Sequence, residues 1–268
     1  MVEKERLDVL LTRRGFFNSR ERARAAIMRG DVYVGGHKSD KPGTGFSPDI
    51  EIEVREKAVP YVSRGGLKLE KALWEFGVSV SGLCVLDGGA STGGFTDCLL
   101  KNGAARVWAV DVGYGQLAWK LRNDSRVVCM ERLNIRNLTR ENLDGCYADM
   151  AVLDLSFISL SLVLPVIKAV VTRGATAICL VKPQFEAGRE RVGKHGVVRD
   201  PATHGEVLRR HIMSAEAAGF GVKGITFSPI KGPKGNLEFF SRLEEGAASS
   251  VSEGEILQTV ESAHRELV

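Results

Sequence analysis

Across 268 residues, 44% of them hydrophobic and 26% charged, there is room and apolar material for a small domain joined to one of ordinary size. That balance excludes a disordered or low-complexity chain, and a net charge of only +4 excludes a uniformly basic one. The charge is unevenly spread, however. Between Arg13 and Arg29 stand six arginines (Arg13, Arg14, Arg20, Arg22, Arg24, Arg29) and one acid, Glu21. The five cysteines are odd in number and widely spaced inside apolar runs, with no Cys-x-x-Cys pair. Free buried thiols are expected, and no metal site. The opening Met-Val-Glu-Lys-Glu-Arg has no apolar run, so no secretory signal is expected. The most apolar stretch, 162–171, is broken by Pro165 and Lys168 and is too short to span a bilayer, so a cytoplasmic location without a membrane partner is expected.

In chain order, a first helix is predicted over 4–14, with Leu7, Leu10 and Leu11 on one face and Gly15 as its stop. Ser19 is a good N-cap for a second helix that runs to Arg29 and ends at Gly30. Short strands follow at 32–34 and 50–54, the latter alternating with period two. Irregular chain near 57–64 then leads into a different pattern. Strands are predicted near 83–88, 106–111, 126–131, 149–154, 176–182, 222–227 and 237–243, with helical periodicity over 96–102 and 203–218 between them. Such alternation implies a mostly parallel seven-stranded sheet with helices on both faces. The Gly- and Pro-rich turn over 231–235 permits an antiparallel last strand, and 253–267 reads as a surface helix carrying Ile256, Val260 and Ala263 on one side. The expected division is therefore a small α+β domain over 1–58, a linker over 59–66, an α/β Rossmann-like domain over 67–246, and a C-terminal helix over 247–268.

The strongest local signal is the run Asp87, Gly88, Gly89, Ala90, Ser91, Thr92, Gly93, Gly94, Phe95 at a strand end that opens a helix. Small residues there let backbone approach a ligand at the C-terminal edge of a parallel sheet. Asp111 ends the next strand about 20 residues later, where an acid can accept from both ribose hydroxyls. That geometry serves NAD, FAD or S-adenosylmethionine alike. The dinucleotide fingerprint is not met, since three residues separate Gly89 from Gly93. Asp87 would repel a pyrophosphate and suit the ammonium of a methionine moiety. A structural glycine turn without a ligand is the remaining alternative. Further charges stand at the tips of apolar strands: Asp154, Lys182 and Glu238. Each alone reads as a solvated strand end; together beside a cofactor turn they read as chemistry.

At these residues the chain resembles the TlyA family, long labelled haemolysins but similar to ribosomal RNA 2′-O-methyltransferases of the FtsJ group. The matching stretches are 61–66 (Tyr-Val-Ser-Arg-Gly-Gly) with Lys68, then 87–95, 110–117, 154–159 (Asp-Leu-Ser-Phe-Ile-Ser) and 181–186 (Val-Lys-Pro-Gln-Phe-Glu). The start of the chain resembles the RNA-binding module named after ribosomal protein S-four, through Arg6-Leu-Asp8, Ser19-Arg20, Val32 to Gly35 and Lys41-Pro-Gly43. The resemblance implies a class I methyltransferase sheet and a Lys68, Asp154, Lys182, Glu238 catalytic tetrad. It implies an S-adenosylmethionine site at Asp87, Gly89, Ala90, Ser91, Thr92, Gly93, Asp111, Tyr114 and Asn134. It further implies ribosomal RNA or ribosomal subunits as partner, met by Arg6, Arg14, Arg20 and Lys41. Asn134 stands where many relatives carry an Asp near the adenine, though its amide oxygen can still accept. The basic, Gly-rich loop over 186–199 departs from the generic methyltransferase pattern.

A ribose 2′-hydroxyl is a poor nucleophile, so the enzyme must align it with the methyl donor and take its proton. Lys182 is the expected proton acceptor. A nearby Lys68 disfavours a second positive charge, while Asp154 and Glu238 pull the other way. Other methylations fit less well. Exocyclic amines need an Asp/Asn-Pro-Pro-aromatic loop, and here that place reads Asp154-Leu-Ser-Phe157; carbon-five chemistry needs a cysteine, and none follows these strand ends. Cytidine is the target that the resemblance suggests. Two other readings stand beside this one, an RNA-binding assembly protein without turnover and a membrane-lysing haemolysin.

Overall fold

The computed structural model describes residues 4–54, 60–232 and 234–268, and of Ala25 and Arg29 the backbone alone. The chain divides into two compact units, Met1–Pro60 and Tyr61–Val268. Part of the expected linker over 59–66 falls on residues 55–59, outside the described ones, and its last two residues already belong to a helix.

The first unit begins with a two-residue strand, β1 (Glu5–Arg6), where the sequence had suggested the first turn of a helix. Arg6 is extended, and β1 pairs antiparallel with a later strand, so helix α1 spans only Leu7–Arg13. Helix α2 (Arg20–Arg29) is capped as predicted: the Ser19 side chain accepts from Arg22 N, and Gly30 closes the helix in the left-handed region. Strands β2 (Val32–Val34), β3 (His37–Lys38), β4 (Gly45–Phe46) and β5 (Ile52–Val54) complete the unit; β3-β2-β5 form an antiparallel sheet and β4 partners β1. Leu7, Leu11, Ala23, Ala26, Ile27, Val32 and Val34 bury a small core of their own.

The second unit runs α3 (Gly65–Glu75), β6 (Cys84–Gly88), α4 (Gly94–Lys101), β7 (Arg106–Val110), α5 (Trp119–Arg122), β8 (Val127–Met130), β9 (Ala148–Leu153), α6 (Leu164–Val170) and β10 (Val171–Val181). It continues with α7 (Pro183–Glu186), α8 (Pro201–Ala217), β11 (Phe220–Phe227), β12 (Phe239–Glu245) and α9 (Glu253–Leu267). The seven strands lie in the order β11-β12-β10-β9-β6-β7-β8. All neighbours from β10 to β8 are parallel, while β12 inserts antiparallel between β10 and β11. Because successive side chains of a strand alternate faces, Leu86 and Leu153 pack on one side with α6, α8 and α9, and Val85 and Val152 on the other with α3 and α4. This is the seven-stranded, mostly parallel sheet that the strand–helix alternation predicts. Among the described residues no helix is long and apolar enough to cross a membrane. The cysteines are free, but only Cys98 and Cys179 are buried; Cys84 and Cys129 are half-buried and Cys146 is exposed, because Cys146 follows the turn after a 3-10 helix rather than lying in a strand.

Candidate active site

The strand order reverses between β6 and β9, so the chains leaving these two strands part and open a crevice at the C-terminal edge of the sheet. Gly89 (φ +87°) turns the chain out of β6, and a Cβ there would stand 2.5 Å from the Asp154 carbonyl oxygen. The glycine is thus required by the end of β9, not only by a ligand. Gly89 N and Ala90 N donate to Val110 O, and Ser91 N donates to Asp111 Oδ2 at 2.8 Å. Asp111 Oδ1 accepts from Gly113 N at 2.7 Å. Asp111 therefore clasps the glycine turn to the loop after β7 and keeps lone pairs for a ligand's hydroxyls.

Two clefts open from this turn and share Gly89, Ser91 and Asp154 in their walls. The larger, about 920 Å³, passes Asp111, Asn134, Ile135, Leu155 and Phe157 to Phe185. The smaller, about 240 Å³, is walled by Ser63, Arg64, Lys68, Thr92 and Lys231. The chain ahead of α3 reaches it because Asp97 on α4 accepts from Val62 N at 2.8 Å. Asn134 caps a short 3-10 helix, its Oδ1 accepting from Arg136 N at 3.0 Å.

Four charged groups converge beside these clefts as two pairs. Lys68 Nζ lies 2.5 Å from Glu238 Oε2. Lys182 Nζ lies 2.6 Å from Asp154 Oδ1 and donates to Ser156 Oγ at 2.9 Å. Both lysines are only 8% exposed and Glu238 1%, so these are not solvated strand ends. The sheet explains the convergence. Val181 pairs with Phe239 across β10 and β12, which leaves Lys182 and Glu238 side by side just past the ladder, and Asp154 one residue beyond β9. Glu186 at the end of α7 accepts from Ser159 Oγ (2.6 Å) and Leu160 N (2.8 Å), tying the loop after β9 to the loop after β10; burial raises its carboxyl above the ordinary range.

Asp87 sits behind the glycine turn and not on a cleft wall. It is fully buried; its Oδ2 accepts from Thr96 Oγ1 at 2.6 Å, and its Oδ1 has no partner among the described residues. Burial pushes its carboxyl up to about 7, and the nearby negative charges of Asp154 and Asp111 push the same way. Three acids gathered at one turn favour a cationic ligand and oppose a pyrophosphate, the alternative that the glycine turn alone leaves open. Gly93 also lies behind the turn, where a Cβ would strike Leu121 at 2.2 Å. Tyr114 is two-thirds exposed beneath the Arg132 guanidinium, 4.0 Å from its ring centre, and lies off both cleft walls. Gly89 through Thr92, Asp111 and Asn134 do line the clefts.

The sequence assigned no role to Arg64, Ser156 or Phe157, each of which stands on a wall. Phe157 is the most informative: it is 91% exposed, its φ is +64°, and its ring meets Phe185 at 5.0 Å. A bulky residue held in the left-handed region and facing solvent costs about 1–3 kcal/mol of strain, which a cleft-side role would explain.

In the first unit, the fully buried carboxylate of Asp8 accepts from Arg6 Nε at 3.0 Å and from Arg20 at 3.1 Å. The Arg6 guanidinium, followed by burial acting oppositely and by Arg20, sets the balance that holds the Asp8 carboxyl down at about 2. Arg6 and Arg20 remain more than half exposed, so one buried anion presents two cations side by side. Lys41, far along the chain, is exposed and adjoins Pro42, whose carbonyl accepts from Asp8 N at 3.1 Å. Arg14 differs: its guanidinium donates to the carbonyls of Ile50 and Pro48, a contact that holds the turn before β5.

A family profile described as FtsJ-like methyltransferase matches residues 61–244, and one described as the S4 domain matches residues 5–49. A Bacillus subtilis protein provisionally named an rRNA methyltransferase is 52% identical over 269 residues, covering 99% of this chain and 96% of that one. The 16S/23S rRNA (cytidine-2′-O)-methyltransferase of Mycobacterium tuberculosis is 46% identical over 241 residues, 90% of each chain. A solved Streptococcus thermophilus structure, provisionally described as a hemolysin, superposes with a TM-score of 0.80 at 45% identity, covering 99% of this chain and 98% of that one.

Proposed function

This chain belongs to the FtsJ-like methyltransferase family, and from that premise we propose that it transfers a methyl group from S-adenosylmethionine to the ribose 2′-hydroxyl of a nucleotide in ribosomal RNA. The observation that carries the reading is the meeting of two lysine–carboxylate pairs, the buried Lys68 with Glu238 and the buried Lys182 with the half-buried Asp154, beside a turn ringed by three acids. Cytidine is the proposed target, by likeness to the Mycobacterium tuberculosis relative. A ribosomal substrate would make the cytoplasm its place of work.

The wall chemistry suits that cofactor. Asp111 would accept from the ribose hydroxyls, Asn134 from the adenine amine, and Arg64 would meet the carboxylate, while the acids at the turn favour its two cationic centres. When bound, S-adenosylmethionine supplies an electrophilic methyl group on a positively charged sulfur. The protein's own part is to hold the 2′-hydroxyl in line and to receive its proton. Lys182 can receive it only as the free amine. Asp154 lines both clefts, so a positive charge bound against it loosens its hold on the lysine ammonium. Ser156 keeps the amine aimed, through the 2.9 Å hydrogen bond. Lys68 and Glu238 neutralise each other and add a fixed dipole beside the reacting oxygen. Phe157 offers an exposed ring on which a nucleobase taken out of its stack can rest.

The experiment is transfer of labelled methyl to ribosomal subunits that lack the modification, with the 2′-O-methyl position mapped afterwards. A new 2′-O-methylcytidine is the expected product. Binding of subunits with no transfer would leave an assembly protein, and lysis of red cells with no transfer would leave a haemolysin.

A further inference from the structure

The loop after α7 is basic and lies outside the machinery above. Over 188–200 and 231–235 stand six cations (Arg189, Arg191, Lys194, Arg199, Lys231, Lys234) and two acids, Glu190 and Asp200. Asp200 is committed to capping α8, and Arg191 pairs with Glu206. The other five cations form no salt bridge with a described residue. With Asp200 used as a cap, Glu190 is the one acid left in these segments against those five cations, a surplus of positive charge that a polyanion would meet favourably.

The patch is also built, not loose. Asn236, 2% exposed, pins the two segments to each other: its Oδ1 accepts from Val198 N at 2.9 Å and its Nδ2 donates to Gly196 O at 2.8 Å. Its own carbonyl accepts from Gly232 N at 2.9 Å, closing the 232–236 turn. That turn rests on the tetrad. A Cβ on Gly232 would stand 2.4 Å from Glu238 Oε1, so a larger residue here would displace this carboxylate from its place beside Lys68. Lys231 walls the cleft that holds Lys68, and Arg189 walls a small cleft with Gln184 and Phe185, next to the ring of Phe157. A merely solvated basic loop would need neither the buried pin nor the contact with Glu238.

We infer that the 189–199 loop and the 231–235 turn form one cationic clamp that grips the phosphates flanking the target nucleotide. The inference rests on the proposed action on RNA and adds where the catalytic unit holds the strand. Phosphate contact positions a strand without reading its sequence, which is what an enzyme needs when a single ribose must be brought to Lys182.

The test uses the full chain with Arg189→Gln, Lys194→Gln and Lys234→Gln, singly and together, on unmodified ribosomal subunits over a series of salt concentrations. Each lost phosphate contact should flatten the log–log slope of RNA affinity by about 0.7, and the triple variant by about 2. Asn236→Ala removes no charge and should flatten the slope in the same direction by releasing the loop. S-adenosylmethionine affinity and melting temperature should stay at wild-type values in the charge variants. A triple variant with the wild-type slope overturns the clamp while leaving the methyltransferase reading standing. A wild type that binds subunits but transfers no methyl overturns that reading, and the binding slopes still decide the clamp.

Discussion

At the scale of single residues, Lys182 is buried, aimed by Ser156 and paired with Asp154. If it takes the proton, Lys182→Ala should lower kcat by about 10²–10⁴ with little change in RNA affinity, read from single-turnover transfer alongside binding. Turnover near wild type would remove it from that role. Asp87 makes a second prediction. Its carboxyl, raised to about 7, is protonated below that pH, and a cationic ligand favours the ionised form. Cofactor binding should therefore release a proton and tighten as pH rises through about 7. The ligand's own amine titrates near 7.7–8.0, so the signature is the difference from Asp87→Asn, which should lack the tightening in calorimetry. The same raised value works against stability: the folded form keeps a proton that the unfolded chain loses above about 3.9, so the cost of Asp87 grows with pH and levels off above 7. Asp154, Lys182 and Glu238 stood out in sequence as ionisable residues at the tips of apolar strands, whereas Lys68, on helix α3, has no such signal and entered only through the family resemblance. Phe157 was not, since an aromatic after a strand reads as core; only its backbone angle and exposure reveal it. The glycines were legible as a turn but not in their cause, for Gly89 makes room for the Asp154 carbonyl and Gly93 for Leu121.

At the scale of elements, the parallel strands and α9 were predictable because buried strands and an amphipathic helix impose strong periods on the sequence. The start of α1 was not. Residues 5 and 6 are helix-compatible by composition, and a pairing with Gly45 and Phe46, far along the chain, decides them as strand. Long-range pairing overrides local preference there. The same limit hides Glu186, whose partners Ser159 and Leu160 lie about 26 residues away. Removing its carboxylate leaves Leu160 N without an acceptor and frees the loop that carries Phe157. Glu186→Ala should cost about 1–3 kcal/mol in denaturant unfolding and weaken both substrates' binding. Glu186→Gln, which keeps one acceptor, should recover most of the loss. An Ala variant as stable as wild type would mean the loop is held by something else.

At the scale of the whole molecule, the sequence changes from short antiparallel strands to strand–helix alternation, and the contacts divide the chain at Pro60. Each unit buries a core of its own residues, Leu7 to Val34 in one and both faces of the sheet in the other. Separate cores imply separate folding. The roles should separate in the same way. The first unit displays Arg6 and Arg20 on the shared anchor of Asp8, beside the exposed Lys41, whereas its Arg14 is committed to backbone carbonyls. A chain of residues 61–268 should therefore melt cooperatively and bind S-adenosylmethionine as the full protein does. It should lose transfer to intact ribosomal subunits, because the phosphate contacts that locate it there are gone. Arg6→Ala and Arg20→Ala in the full chain should each weaken subunit binding and flatten its salt dependence by about 0.7–0.9, whereas Arg14→Ala should lower melting temperature and leave that slope alone. Asp8→Asn separates anchoring from charge: it keeps both arginines but loosens their alignment, so binding should fall although the unit has gained positive charge. Full-rate transfer by residues 61–268 would assign the first unit to some task other than bringing RNA to the tetrad.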